Sequence, residues 1–209
     1  EQNVIQTAYH ILVASTPELL EQGKGDIWDS GKIESDVSQW IAYQGKTLKR
    51  NAPYYWKVKI DTNKGTTDWS TPAFWTTGLF NEADWQGQWI GLDKAAPGDS
   101  ETQWSRLAAR YLRKEFALKK EVKRATVHIA GMGLYELFIN GQRIGNQVLA
   151  PAPTDYRKTI LYNTYDVTSL LQTENAIGVT LGNGRFYTMR QNYKPYKIPT
   201  FGYPKLRLN

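Results

Sequence analysis

The sequence has no cysteine among its 209 residues. Disulfides, zinc-cysteine sites and thiol catalysis are therefore excluded, and the fold must rest on its apolar core. Absence of cysteine suits a periplasmic protein as well as a cytosolic one and does not fix the compartment. Long apolar runs are also missing. The longest are of the "HILVA" kind, far short of the ~18 residues a membrane helix needs, so no membrane partner is expected. Histidine is scarce: His10 and His128 both fall in strand-like stretches with no second histidine or acid nearby in sequence, so packing is expected of them rather than metal ligation. No secretory leader pattern is visible. The chain opens on Glu1 rather than Met, so the true N-terminus is expected to be missing or processed.

What is abundant is aromatic. Phe, Trp and Tyr make up 13% of the chain, with 8 Trp and 13 Tyr, which suits β-sheet cores and, secondarily, flat contact with sugar rings. Net charge is +6, but the basic residues are scattered. Their densest cluster, "LKKEVKR" at 118–124, is interrupted by Glu121 and Val122 and reads as a solvated turn, so no nucleic-acid partner is expected.

Strand signals dominate. "YYWKVKI" alternates Tyr54, Trp56, Val58 and Ile60 against Tyr55, Lys57 and Lys59, the pattern of a half-buried strand. "TAYHILVAS" and "PAFWTTG" read as further strands. "TPELLEQG" offers a Thr cap, a first-turn proline and a stopping Gly23, enough for a short helix. The strand rhythm stops between Gly78 and Trp85 and resumes with a different texture. Strands are then expected at Arg110–Ala117, "KRATVHIAG", "TILYNTYDVT" and "AIGVTLGNG", with one short helical turn in "VTSLLQTEN". No long amphipathic helix appears. The class is all-β, two successive sandwiches.

"GLYELFINGQRIG" carries Asn140-Gly141, which suits a two-residue type I′ turn because both central residues need positive φ. That turn pairs Ile139 with Gln142 and Leu137 with Ile144, placing Leu137, Ile139 and Ile144 on one face and Phe138 and Arg143 on the other. The stretch reads as a folding device rather than a ligand site.

The run from "GLYELFINGQRIGNQVLAPAPTDYRK" through "YNTYDVTSLLQTENAIGVTLGNGRFY" resembles the N-terminal β domain of bacterial α-L-rhamnosidases, glycoside hydrolase family 78, over about Trp85 to Asn209. "QTAYHILVAS", "IWDSGKIES", "YYWKVKI" and "DWSTPAFWTTGLF" resemble the fibronectin type III-like sandwich that precedes it in those enzymes. The resemblance implies a fibronectin III-like sandwich over residues 1–80, lacking the family's first strand, and a lectin-like jelly-roll over 85–209. It also implies that the jelly-roll is cut short within "PKLRLN", leaving Leu206 and Leu208 on an open strand edge prone to self-association. Ala152 and Arg185 depart from the family pattern, which usually has Gly-Trp at the first and Trp at the second.

The family removes terminal α-L-rhamnose with inversion, using two carboxyls ~6.5–9.5 Å apart. Those acids belong to a helical (α/α) barrel that this sequence does not contain, so no catalytic residue is expected here. Asp29, Asp61, Asp68, Asp99, Asp155 and Asp166 fall in turns and suit capping. The implied partner is the catalytic barrel of the same chain, which this segment would brace. A rhamnosylated glycan is the other possible partner, because the second domain resembles a calcium-dependent rhamnose-binding module of the same family. The residues matching that surface are Asn146, Gln147, Asn183, Arg185 and Tyr187, followed by Arg190 and Tyr193. Asn146-Gln147 stands where an Asp would serve calcium, so no cofactor is assigned, Ca²⁺ preferring carboxylate oxygens. An autonomous glycan-binding module, or the sugar-binding domain of a family 2-type glycosidase, is the alternative. A periplasmic or extracellular location is favoured over the cytoplasm.

Overall fold

A computed structural model describes residues 3–99, 106–188 and 201–209. The chain divides into two compact units, Glu1–Asp84 and Trp85–Asn209, and each is almost wholly β.

In the first unit β1 (Gln6–Ala14) lies between β2 (Trp28–Glu34) and β3 (Pro53–Thr62), all antiparallel. The short strands β4 (Gly65–Thr66) and β5 (Ala73–Thr76) share the other flank of β3. The period-2 alternation sets the two faces. Ile11, Val13 and Tyr54 are buried on one, packed by Trp56, Val58 and the irregular segment carrying Ile41, Tyr43 and Leu48. On the other, Leu12 and Ala14 meet Leu20 of the helix α1 (Pro17–Glu21) and Trp69. Lys57, expected to face solvent, is buried: its Nζ donates to the Leu20 carbonyl and lies 5.0 Å from the Trp69 ring centroid. Thr16 precedes α1 without a side-chain bond to its N–H groups, and Gly23 follows at φ 73°. His10, expected to lack an acidic partner, has one through strand pairing: its Nε2 lies 2.6 Å from Asp29 Oδ1. β2 escaped the sequence reading. Its pairing with β1 is irregular between His10 and Leu12, where the Ile11 N–H donates to Ser30 Oγ.

The second unit is a sandwich of two four-stranded antiparallel sheets. One has the order β10 (Gln142–Ile144), β9 (Leu134–Ile139), β12 (Glu174–Gly182), β7 (Arg110–Ala117). The other has β11 (Tyr162–Asp166), β8 (Thr126–Met132), β13 (Lys205–Leu208), β6 (Ile90–Gly91). Leu137, Ile139, Val179 and Leu181 from the first meet Val127, Ile129 and Leu206 from the second to form the core. The β9–β10 hairpin has the expected register, Gln142 opposite Ile139 and Ile144 opposite Leu137, with φ 51° at Asn140 and 82° at Gly141.

The expected open edge at Leu206–Leu208 is not present. β13 is an interior strand, paired to β8 along its length and to β6 at Lys205 and Leu206. Beyond β6 the same flank is covered by Trp85–Gly87: Arg207 Nε donates to the Gly87 carbonyl at 2.7 Å and the Gln86 N–H to Asn209 Oδ1 at 2.7 Å. Arg207 is accordingly buried rather than solvated, its guanidinium 5.1 Å from the Trp85 ring. The partner is a two-residue strand far upstream with no periodicity to read, Leu206 lying opposite Ile90 and Lys205 opposite Gly91.

Candidate functional site

The long connections of the second unit gather at one end of the sandwich. β12 ends at Gly182 opposite Leu134, where β9 begins, and β10 runs toward that same end on β9's other flank. β6 ends opposite Lys205, where β13 begins, and β7 starts opposite Leu181. β6, β10 and β12 therefore end, and β7, β11 and β13 begin, at one end, while the opposite end carries the two-residue β9–β10 turn and the connections 118–125 and 167–173. Loops on a rigid β scaffold are where binding surfaces are commonly built.

The loop after β10 is held from below. The Arg143 guanidinium donates to the carbonyls of Gly145 at 3.1 Å and Gln147 at 2.7 Å, and its Nε to Glu136 at 3.3 Å. Gly145 sits at φ 77°, and a Cβ there would fall 2.4 Å from Gln147 Oε1 and 2.6 Å from the Tyr165 ring, so only glycine lets the Gln147 amide reach Tyr165. Tyr165 donates to Gln147 Oε1 at 3.2 Å; Asn163 Nδ2 donates to the hydroxyls of Tyr135 at 2.7 Å and Tyr165 at 3.2 Å. Burial, with the neighbouring Tyr165, pushes the Tyr135 hydroxyl well above its ordinary range. Above this network Val148 and Leu149 are 81% and 70% exposed, with Leu149 at φ 60° and a cis Ala150–Pro151 peptide following.

The turn after β12 is held from the side. Asn183 Nδ2 donates to the Leu107 carbonyl at 2.8 Å, and the Tyr187 N–H to the Asn183 carbonyl at 3.2 Å. Phe186 is buried in an aromatic cluster with Tyr156 at 5.2 Å and Phe201 at 6.0 Å. Tyr187 stacks on Tyr203 with 5.9 Å between centroids. Asp99 ties Ala96 to Ala108 and Arg110: it accepts from the N–H groups of Ala108 (2.8 Å) and Ala96 (2.9 Å) and from Arg110. These donors, Ala108 foremost, outweigh the cost of burial and hold its carboxyl below the usual carboxylate range.

The five residues singled out in the sequence thus sit on two loops of one end, but with different employment. Gln147 and Asn183 spend side-chain groups on holding their own loops. Asn146 and Arg185 are exposed, and Tyr187 is half-buried against Tyr203. Arg190 and Tyr193 lie outside the described residues. Of the acids expected in turns, Asp155 accepts from the Arg157 N–H and guanidinium and Asp166 from the Thr168 hydroxyl and N–H, whereas Asp29 and Asp61 lie within β2 and β3, Asp61 paired with Lys32 across strands. Among the described residues, no group of three or more His, Asp or Glu side chains could hold a metal ion. The Tyr135–Asn163–Tyr165 network and the Asp99–Arg110 staple were not found from the sequence. Their only signal was polar residues inside apolar strands, and their partners lie on other strands.

Known proteins share both units. The family described as "Rha78A-like, N-terminal immunoglobulin domain" matches residues 1–81, and "Alpha-L-rhamnosidase N-terminal domain" matches 120–209. An α-L-rhamnosidase of Formosa agariphila is 40% identical over 205 residues, covering 90% of this chain and 21% of the relative. The solved α-L-rhamnosidase from Dictyoglumus thermophilum superposes with a TM-score of 0.85 at 40% identity, over 100% of this chain and 23% of that one. The Streptomyces avermitilis α-L-rhamnosidase complexed with L-rhamnose, at 21% identity, shares the fold with a TM-score of 0.82, over 98% of this chain and 35% of that one. This chain spans about a fifth of the curated relative it matches. Two all-β units in this order, each matching an N-terminal domain of the same enzymes, place the chain in the α-L-rhamnosidase family as its N-terminal region.

Proposed function

We propose that this region is the non-catalytic support of an enzyme that hydrolyses terminal α-L-rhamnose from glycans or glycosides. Its second unit, a lectin-like jelly-roll in this reading, braces the catalytic (α/α) barrel of the same protein with its loop end. One observation carries the choice of bracing over sugar binding. The amides best suited to sugar hydroxyls, Gln147 and Asn183, are engaged in fixing loops, whereas the groups left outward are the apolar Val148 and Leu149 beside Asn146 and Arg185. Apolar anchors with a flanking arginine suit a protein interface. Direct rhamnose binding by Asn146, Gln147, Asn183, Arg185 and Tyr187 is the second reading, favoured by the Tyr187–Tyr203 stack. A glycan substrate suits a periplasmic or extracellular setting.

The non-catalytic role is tested by assaying the 209-residue chain on a chromogenic α-L-rhamnoside. No turnover is expected, because the chain spans only about a fifth of its rhamnosidase relative and described aspartates are taken up locally, Asp61 by Lys32, Asp99 by Arg110 and Asp166 by Thr168. Turnover that scales with protein and survives repurification would overturn it.

A further inference from the structure

The first unit holds an aromatic groove that the reading above does not use. It has a volume of about 540 Å³ and is lined by six aromatic side chains: Tyr9, Trp28, Trp40, Tyr43, Trp56 and Trp75. None of its lining residues is charged, although the protein carries +6 overall. The rim supplies the neutral polar groups of Gln6, Ser38 and Gln39.

Trp40 decides what the groove suits. It is 97% exposed and sits at φ 58°, a backbone conformation that costs a bulky L-residue about 1–2 kcal/mol. Nothing in its own unit repays that cost by burying the ring. The segment presenting it is nevertheless anchored on both sides. Gln6 Nε2 donates to the carbonyls of Ser35 at 3.1 Å and Val37 at 2.9 Å; Tyr43 packs edge-on against Trp28 at 5.3 Å; and the Lys46 N–H donates to the Ile27 carbonyl at 2.9 Å. A strained, solvent-facing indole on a fixed loop is the geometry of a ligand clamp.

We infer that this groove is a binding site for a neutral saccharide, with the Trp40 indole stacking on the C–H face of a pyranose and the Ser38 and Gln39 side chains meeting its hydroxyls. The chemistry selects that class. Flat aromatic walls match the apolar face of a sugar ring, amides and hydroxyls match its edge, and the uncharged lining offers nothing to a uronic acid or phosphate.

The test titrates the 209-residue chain with a neutral rhamno-oligosaccharide and, separately, with a uronic-acid-bearing oligosaccharide, following tryptophan fluorescence and calorimetric heat. Saturable binding of the neutral sugar is expected. Trp40→Ala should weaken it about tenfold, equivalent to about 1.4 kcal/mol, and Trp40→Phe should restore part of the loss. Tyr111→Ala, which removes an 82% exposed aromatic of the second unit, should leave it unchanged. Because Trp40 is exposed, the Ala variant should melt no lower than the parent, which separates a lost contact from a lost fold. Three results would overturn the site: no saturation by millimolar sugar, equal affinity in the Trp40→Ala variant, or concentration-dependent self-association that this substitution abolishes. The last would assign the groove to a second copy of the chain.

Discussion

The Asn140 side-chain amide donates to Asn175 Oδ1 at 3.0 Å, tying the tip of the β9–β10 hairpin to the start of β12. The same amide donates to the Leu170 carbonyl at 2.9 Å, and its Oδ1 accepts from the Ala176 N–H at 2.8 Å. Asn175 is buried and in turn closes the turn before it through Gln172. The Asn-Gly pair therefore joins three segments and leaves its amide nothing to offer a ligand. Gly141→Val should cost about 1–2 kcal/mol, because a Cβ there meets no atom within 4 Å and the penalty is backbone strain alone. Gly141→Asn should cost less, asparagine tolerating the left-handed region. Urea melts of the three proteins give the comparison, and coincident curves for valine and glycine would refute the turn's role.

The buried Tyr135 hydroxyl accepts from Asn163, whose remaining contact is the more distant Tyr165 hydroxyl. Tyr135→Phe keeps the ring and removes the acceptor. A loss of about 1–2 kcal/mol is expected, the cost of a part-buried donor left under-satisfied. Because Tyr165 also holds Gln147, the substitution should speed hydrogen exchange in residues 145–150 more than in β8. Uniform change across the sandwich would show that the network does not steady that loop.

Asp166 is held below the usual carboxylate range, first by the Thr168 hydroxyl and then by the Thr168 N–H, against a smaller opposing effect of burial. A carboxyl depressed on folding contributes stability that is complete above its unfolded value and is lost as pH falls through its folded one. The parent should therefore weaken progressively below about pH 5, and Asp166→Asn should show a shallower fall between about pH 5 and about pH 3. Urea midpoints across that range measure the slope. An Asn variant that falls as steeply would place the acid sensitivity elsewhere, Asp99 being the next group to replace.

Much of this architecture could be read in the sequence wherever the information is local. β7 falls at Arg110–Ala117 as expected, and the hairpin register followed from two turn residues. β2 was unreadable because Asp29, Ser30 and Gly31 spell a turn, while an irregular pairing with β1 makes them a strand. β13 was read as an edge because the resemblance implied a jelly-roll cut short there; its strand partner β6 and the Gly87 carbonyl that holds Arg207 come from far upstream. The candidate site shows the same division. Asn183 and Gln147 could be named as polar residues in loops, but that each is tied down by a distant segment, Leu107 in one case and Tyr165 in the other, depends on tertiary closure.

Bracing and sugar binding make opposite demands on the loop end, and hydrogen exchange distinguishes them. Amides of residues 145–150 and 183–187 would be compared in the 209-residue chain and in the full-length protein, each with and without L-rhamnose. Bracing predicts that both segments are slower to exchange in the full-length protein, whether or not the sugar is present. Equal exchange in the two proteins, with protection appearing only when L-rhamnose is added, would contradict the account and make the loop end a sugar site.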